Sequence, residues 1–568
     1  MRRSTSELMR RRRRARTEAS GPPTFFVTPV GAEPSDRGPS VPDLLHAEPK
    51  PWGDLRGSTE LVRFAFEGGD CEGVFDTLIE AVPLGPSTMG AASLASQLYL
   101  DELCKSCLRL RVEDHDLEPN VRAQRRILES PPACAADRDA RQAVLREILE
   151  RPAFRGDLER TYLALRRLRE TLEMASSSEP NLVRRKIGVL VALRRAVEAM
   201  ADGFEGAGSN LARLRSRGQS IRATDAWRRL VELVDAEGNL ATVDVRLRLG
   251  SDGTIRDFGV LAVDERPSAL LPGPVGRFFQ RLTSFLRGYR YGESEVVVRL
   301  LEEVFAPLAD EVVSLIALTA SVEAYLAALG FRDVAARRGL AVCLPTFDTG
   351  QRAISRLFNP LLLLQGVTPV PCDLPPARAD ALVIVTGPNS GGKTRLLQAI
   401  ALTQLLGQGG FFVPAERAEL VPAPSMFLSL VVEGEAGQVE GRLGTELLRI
   451  RELFEKLEPG SIALLDELCS GTNPTEGEAI FEMVVSLLPQ LGPQVFVSTH
   501  FLGLAARLER ERPVPGLTFL RVELDAKEQP TYQFVPGVAT TSLAHKVAAR
   551  LGVTREALEA LVASKRPR

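Results

Sequence analysis

The stretch "ALVIVTGPNSGGKTRLLQAIALTQLL", residues 381–406, holds three grammars in sequence. Residues 381–385 are a short, near-continuous apolar run, the pattern of a strand covered on both faces. A breaker-rich loop follows, and after it apolar residues recur at helical spacing from Leu396 onwards. In this strand–loop–helix setting Gly387, then Pro388, Asn389, Ser390 and Gly391, then Gly392-Lys393-Thr394 satisfy the spacing GxxxxGK[ST]. The physical need is specific. Glycines let backbone N–H groups turn inward around an anion, and the helix N-terminus adds its dipole. A lysine at 393 reaches the outer phosphates and a hydroxyl at 394 ligates magnesium. The stretch therefore predicts a nucleotide-phosphate site within an α/β domain.

A phosphate loop needs a second magnesium ligand at the end of a neighbouring strand, and the pentapeptide LDELC offers two candidates, at 100–104 and 465–469. In the first copy Leu100, Leu103, Cys104, Cys107 and Leu108 fall on one helical stripe. Asp101 and Glu102 are then turned to the other face, with Lys105 placed to pair with Asp101 one turn on. In the second copy Pro459-Gly460 breaks the chain, Ile462–Leu465 are uninterrupted apolar residues, and "SGTNP" follows the acids. That is a buried strand ending at a loop, where an α/β sheet places its active site. Asp466 is accordingly expected to hold magnesium, and Glu467 to act as general base on the attacking water. A further strand ends at Ser498-Thr499-His500, and His500 is placed to donate to the outer phosphate or the water.

Other short apolar runs, "MFLSLVV" (426–432), "SIALL" (461–465) and "QVFVS" (494–498), complete a sheet expected over 346–545. From 56 to 345 long amphipathic patterns predict a mostly helical core and lever domain. Within it "ATVDVRLRLGSDGTIRDFGVLAVDE" (241–265) alternates with period two around turn residues, which predicts a β-hairpin. Arg246 and Arg248 share one face of that hairpin and are candidate phosphate-backbone contacts on DNA. Residues 1–55, rich in Arg, Pro, Ser and Gly, read as a disordered leader, and 546–568 as a helical segment.

The 568 residues exceed the roughly 250–300 at which a single core stops growing, so a multidomain chain is expected. With 71 basic against 73 acidic side chains, affinity for nucleic acid must come from local patches. Seven scattered cysteines read as reduced thiols, with Cys104 and Cys107 on one helix, and four histidines make a multi-histidine metal centre improbable. No long uninterrupted apolar run suggests a membrane span, so a cytoplasmic protein, on the nucleoid when DNA-bound, is the expectation.

These residues together resemble the MutS family of ATPases. "VTGPNSGGKT" is similar to that family's phosphate loop, and "LLDELCSGTNPTEG" to its DExxxGTxxxxG segment, with Asp466, Glu467, Gly471, Thr472 and Gly477 in register. "FFVPAERAEL" resembles the stretch after the first helix, "VSTHF" the switch histidine, and "TYQFVPGVATTSLAHKVAARLGV" the closing strand and terminal helices. The resemblance covers about 365–555. It implies bound ATP and Mg²⁺, and a homodimer whose ATPase sites form across the interface and switch a clamp on DNA in mismatch repair or a related pathway. It also implies that the terminal helices support dimerisation.

The chain departs from that pattern in two places. Where the family presents a Ser/Thr-rich turn to the partner's outer phosphate, this chain has "GQVEGRLGTELLRI", with Gly444, Thr445 and Glu446 as the candidate contact. No mismatch-reading module is recognisable ahead of the helices and no nuclease domain is expected after the ATPase, so a shortened homologue acting on mismatched, branched or otherwise structured DNA is expected. Two alternatives stand beside this reading. One is a slow or non-catalytic scaffold in which ATP only fixes the dimer. The other is a transporter- or SMC-type ATPase, which the 73 residues between Lys393 and Asp466 and the lack of an LSGGQ-like motif disfavour.

Overall fold

The computed structural model describes residues 41–565 except 53–55, 86–88, 90, 114, 175–178, 250–254, 266–297, 299–300, 348–349, 431–441, 470–472 and 542–550. The leader 1–40 lies outside the described residues. Amphipathic spacing in the first half folds as α1 (Arg56–Phe66), α2 (Asp76–Glu80) and α3 (Leu100–Ser106), then the ribbon β1 (Leu110–Val112) and β2 (His115–Leu117). There follow α4 (Val121–Glu129), α5 (Ala135–Glu150), α6 (Ala153–Glu173), α7 (Glu179–Asp202), α8 (Leu211–Arg222) and α9 (Asp225–Asn239). The alternating stretch forms β3 (Leu240–Leu249) and β4 (Ile255–Glu265), an antiparallel pair.

The helices gather around α10 (Ala309–Arg337), whose 29 residues are buried on nearly every side. The stretch Leu301–Arg337 is long and apolar enough, by length and composition, to cross a membrane, although the sequence reading found no such run. Its apolar window is wholly buried inside the fold. Gly330 lets α10 touch the ribbon, because a Cβ there would stand 1.8 Å from the carbonyl oxygen of Arg109. Glu323 is the one acid in the middle of this helix and is 4% exposed. Burial pushes its carboxyl up to about 7, against the pull of an N–H bond from Asn120. An acid raised in this way stabilises the fold fully below its ordinary 4.5 and loses that contribution as pH rises through about 7. At 1.36 kcal/mol per unit the loss is about 3 kcal/mol. Denaturant unfolding at pH 5 and pH 8 should show this fall in wild type and a flatter profile in Glu323→Gln; equal profiles would contradict it.

Residues 41–50, expected to belong to the disordered leader, are instead a packed strap. Leu44 and Leu45 are buried, and Asp43 accepts from the Leu45 N–H at 2.9 Å and meets His46 Nδ1 at 2.8 Å. Its carbonyls are claimed by distant side chains. Tyr325 donates to Leu44 at 2.6 Å, and Arg141 donates to Leu45 at 2.9 Å and to Gly409 at 3.1 Å. Local composition missed it because the partners that satisfy its backbone lie far along the chain. The first LDELC forms α3 with Leu100, Leu103 and Cys104 buried, as the stripe predicts. Asp101, however, pairs with Arg125 at 3.2 Å rather than with Lys105, a tertiary partner displacing the local one.

The second half begins with β5 (Thr346–Phe347), β6 (Gln351–Leu357), β7 (Cys372–Arg378) and β8 (Leu382–Thr386), then α11 (Lys393–Gln408), β9 (Arg417–Leu420) and β10 (Met426–Ser429). It continues with α12 (Arg442–Lys456), β11 (Ile462–Leu465), α13 (Pro474–Leu487), β12 (Gln494–Thr499), α14 (Leu502–Glu511), β13 (Leu517–Leu524), β14 (Pro530–Pro536) and α15 (Arg555–Lys565). The main sheet runs β10-β11-β12-β8-β13-β14, parallel except for β14, and a four-stranded sheet of order β5-β9-β6-β7 accompanies it. The acid strand β11 is therefore not the immediate neighbour of the loop strand β8, as sequence reading had it. β12 lies between them, and α11 closes the distance by carrying Thr394 back across the strand ends. One apolar core runs continuously from the helices into this sheet, and Pro39–Arg568 form one compact unit.

Candidate functional site

The loop between β8 and α11 is shaped by its glycines. Gly392 has φ +90°, and Gly387 has φ +147° with room for a Cβ denied by Val522 Cγ2 at 2.6 Å. Gly391 is equally tight, with the carbonyl oxygen of Pro388 at 2.9 Å. Ser390, at φ +69°, takes a left-handed conformation without being glycine. Such a loop brings backbone close to a ligand at the N-terminus of the 16-residue α11, the chemistry of a phosphate cradle. Lys393 is 5% exposed, and its Nζ donates to the carbonyls of Gly387 at 3.1 Å and Pro388 at 3.3 Å. Burial holds its amine below the usual lysine range, while the Glu467 and Asp466 carboxylates pull it back up.

The second LDELC delivers its acids to this loop. The Asp466 N–H donates to Ser429 at 2.8 Å, extending the ladder one residue past β11. Asp466 Oδ2 then accepts from Thr394 Oγ1 at 2.5 Å, and its Oδ1 from the Ser498 hydroxyl. Glu467 leaves the strand at φ +47°, its N–H donating to Ser498 Oγ at 2.9 Å, and its Oε1 lies 3.7 Å from Lys393 Nζ. A hydroxyl and a carboxylate this close form a hard oxygen donor set, which fits magnesium. Lys393, Thr394, Asp466 and Glu467 are thus brought together, whereas Asp101 and Glu102 lie on α3 and bond to none of them.

His500 stands exposed just after β12, its ring 4.3 Å from that of Phe501, and bonds to neither acid. Gly444, Thr445 and Glu446 lie near the start of α12, and Glu446 helps burial push the Cys469 thiol of the same chain up to about 12. Gly471 and Thr472 lie outside the described residues. In the hairpin Arg246 pairs with Gly259 and Arg248 with Asp257, and their side chains lie outside the described residues. Cys104 and Cys107 are buried free thiols, raised to about 12 by burial. Among the described residues no three His, Cys, Asp or Glu side chains converge on a metal position.

Two contributors escaped the sequence reading. Ser498 ties both acids to β12, and its signal was a small hydroxyl at the end of an otherwise apolar strand. Tyr532 sits at φ +60° on β14, its ring 3.4 Å from where a Cβ on Gly392 would lie. It overhangs a cleft of about 550 Å³ beside the loop, which Asn359, Val367, Val370 and Phe534 also line. Val367, Val370 and Tyr532 are each nearly half exposed, an apolar rim around a site whose floor is polar.

Residues 383–565 match the family model of MutS domain V. The chain is 31% identical over 288 residues to an Endonuclease MutS2 of Thermus thermophilus, covering 49% of this chain and 36% of that protein. It is 29% identical over 273 residues to an Endonuclease MutS2 of Thermomicrobium roseum, covering 47% and 34%. A third, from Levilactobacillus brevis, is 33% identical over 193 residues, covering 33% and 24%. The chain spans about a third of the length of the first two of these relatives. The phosphate loop, its acid strand and these matches agree that residues 383–565 are similar to MutS domain V.

Proposed function

We propose that the chain is a magnesium-dependent ATPase whose nucleotide state governs a dimer bound to DNA, in mismatch repair or a related repair or recombination process. The observation that carries this reading is the Thr394–Asp466–Ser498 hydrogen-bonded set standing beside Lys393 and Glu467 at the loop. Residues 387–394 wrap the phosphates with backbone N–H groups, and Lys393 exchanges its loop carbonyls for phosphate oxygens. Thr394 and Asp466 would hold the magnesium ion, which when bound neutralises charge on the outer phosphates. Ser498 fixes Asp466 and orients the backbone of Glu467, whose carboxylate accepts a proton from the attacking water. His500 donates to the outer phosphate. The apolar rim of Val367, Val370 and Tyr532 suits the flat face of a base.

In the assembled homodimer Gly444, Thr445 and Glu446 present a helix start to the partner's nucleotide, and α15 contributes to the dimer contact. Residues 56–345 serve as core and lever, with Arg246 and Arg248 on the hairpin gripping phosphates of mismatched, branched or otherwise structured duplex. The protein acts in the cytoplasm, on the nucleoid. Thr445 is the single hydroxyl in 437–446, which favours a second reading in which ATP fixes the dimer with little turnover.

A salt titration tests the DNA contact. Two phosphate contacts on each protomer, four in the dimer, contribute about 3.6 to the slope of log K against log salt. Arg246→Ala with Arg248→Ala should therefore flatten the slope by that amount across homoduplex, mismatched and branched DNA. An unchanged slope would remove the hairpin from the interface.

A further inference from the structure

A second cavity, of about 500 Å³, lies in the helical half, between α2, the start of α4, α6 and α10. Its lining is unbalanced in charge. Asp76, Glu80, Glu118, Glu170, Glu173 and Glu323 face it against three guanidiniums, Arg122, Arg166 and Arg169. All three are already paired with acids of the same lining. Arg166 donates to Glu170 at 2.8 Å, and Arg169 lies 3.0 Å from both Glu173 and Asp76. Arg122 is mostly exposed and stands 3.9 Å from Glu80. The surplus is thus negative, and an anion finds no free cation among these groups.

The inner wall adds an independent observation. Thr319 lines the cavity on α10, is 4% exposed, and its hydroxyl has no hydrogen-bond partner among the described residues. Glu323 lies one turn further along the same helix, hydrogen-bonded by the Asn120 N–H and the Tyr162 hydroxyl. A buried hydroxyl without a partner and a carboxylate held away from water both cost free energy, and both are relieved by one donor-rich cation. A single metal ion does not meet the need, since no three of these acids converge closely enough to hold one. Negative charge spread along a cavity of this size calls for positive charge spread likewise.

We propose that this cavity is a binding site for an extended organic polycation, a linear diamine or polyamine. One ammonium donates to the Thr319 hydroxyl and the Glu323 carboxylate at the inner wall. The other pairs with Glu80 and Glu118 at the rim.

Calorimetric titration of the full chain, free of nucleotide and DNA and at constant ionic strength, tests this with putrescine and spermidine. Methylamine and magnesium chloride serve as the comparison ions. The expected result is one saturable site for the diamine or triamine, at least about 10-fold weaker in Glu323→Gln and in Thr319→Val, with neither comparison ion reproducing it. Should an α10 variant fail to fold, Glu80→Gln with Glu118→Gln at the rim is expected to weaken the same site severalfold. Heat that follows ionic strength alone, or that folded variants leave unchanged, would mean a hydrated cavity only and overturn the proposal.

Discussion

Lys393→Ala is expected to weaken ATP binding by about 100-fold or more. The ammonium is 5% exposed and, on the proposed function, leaves the carbonyls of Gly387 and Pro388 for phosphate oxygens. Charge-assisted hydrogen bonds are each worth about 1.5–3 kcal/mol, so losing this group removes about 3 kcal/mol, and each 1.4 kcal/mol is tenfold. Removing the lysine also leaves Glu467 without the cation 3.7 Å from it, which adds repulsion towards the phosphates. Calorimetry with Mg-ATP measures the change, with circular dichroism confirming the fold. Affinity within a few-fold of wild type would remove the phosphate-loop assignment.

Glu467→Gln is expected to keep nucleotide affinity within about threefold and to lower turnover by about 10²–10⁴-fold, the range of a lost general base. The substitution is isosteric and neutral, so the backbone turn at φ +47° and the N–H bond to Ser498 persist. Asp466 keeps its bonds to Thr394 and Ser498, so the magnesium donor set is untouched. The outcome also separates the two readings of function. A large fall from a measurable rate supports an ATPase, whereas a wild type already near the background rate supports the ATP-fixed scaffold.

What the sequence made legible was local chemistry in a recognisable setting. Strands at 381–385, 461–465 and 494–498 were readable because full burial demands unbroken apolar runs, and they match β8, β11 and β12 to within a residue or two. The two LDELC copies were separable for the same reason, a helical stripe against a continuous apolar run. Strand order was not legible. Placing β12 between β8 and β11 is a non-local choice, and with it goes the bond from Ser498 to Asp466. The strap at 41–50 was hidden in the same way, since Arg141, Asn210, Arg213 and Tyr325, which satisfy its carbonyls, are spread across the next three hundred residues of chain. Asp101 shows the rule on the scale of one side chain. The neighbour one turn away lost to Arg125 on another helix, because packing rather than spacing fixed the distance.

Steady-state phosphate release from Mg-ATP, recorded side by side for wild type, Glu467→Gln and the double variant Asp101→Asn with Glu102→Gln, decides which LDELC copy carries the chemistry. Release by the wild type, a near-equal rate from the double variant, and a rate at least about 100-fold lower from Glu467→Gln are expected. Loss of release in the double variant with full release in Glu467→Gln would contradict this expectation.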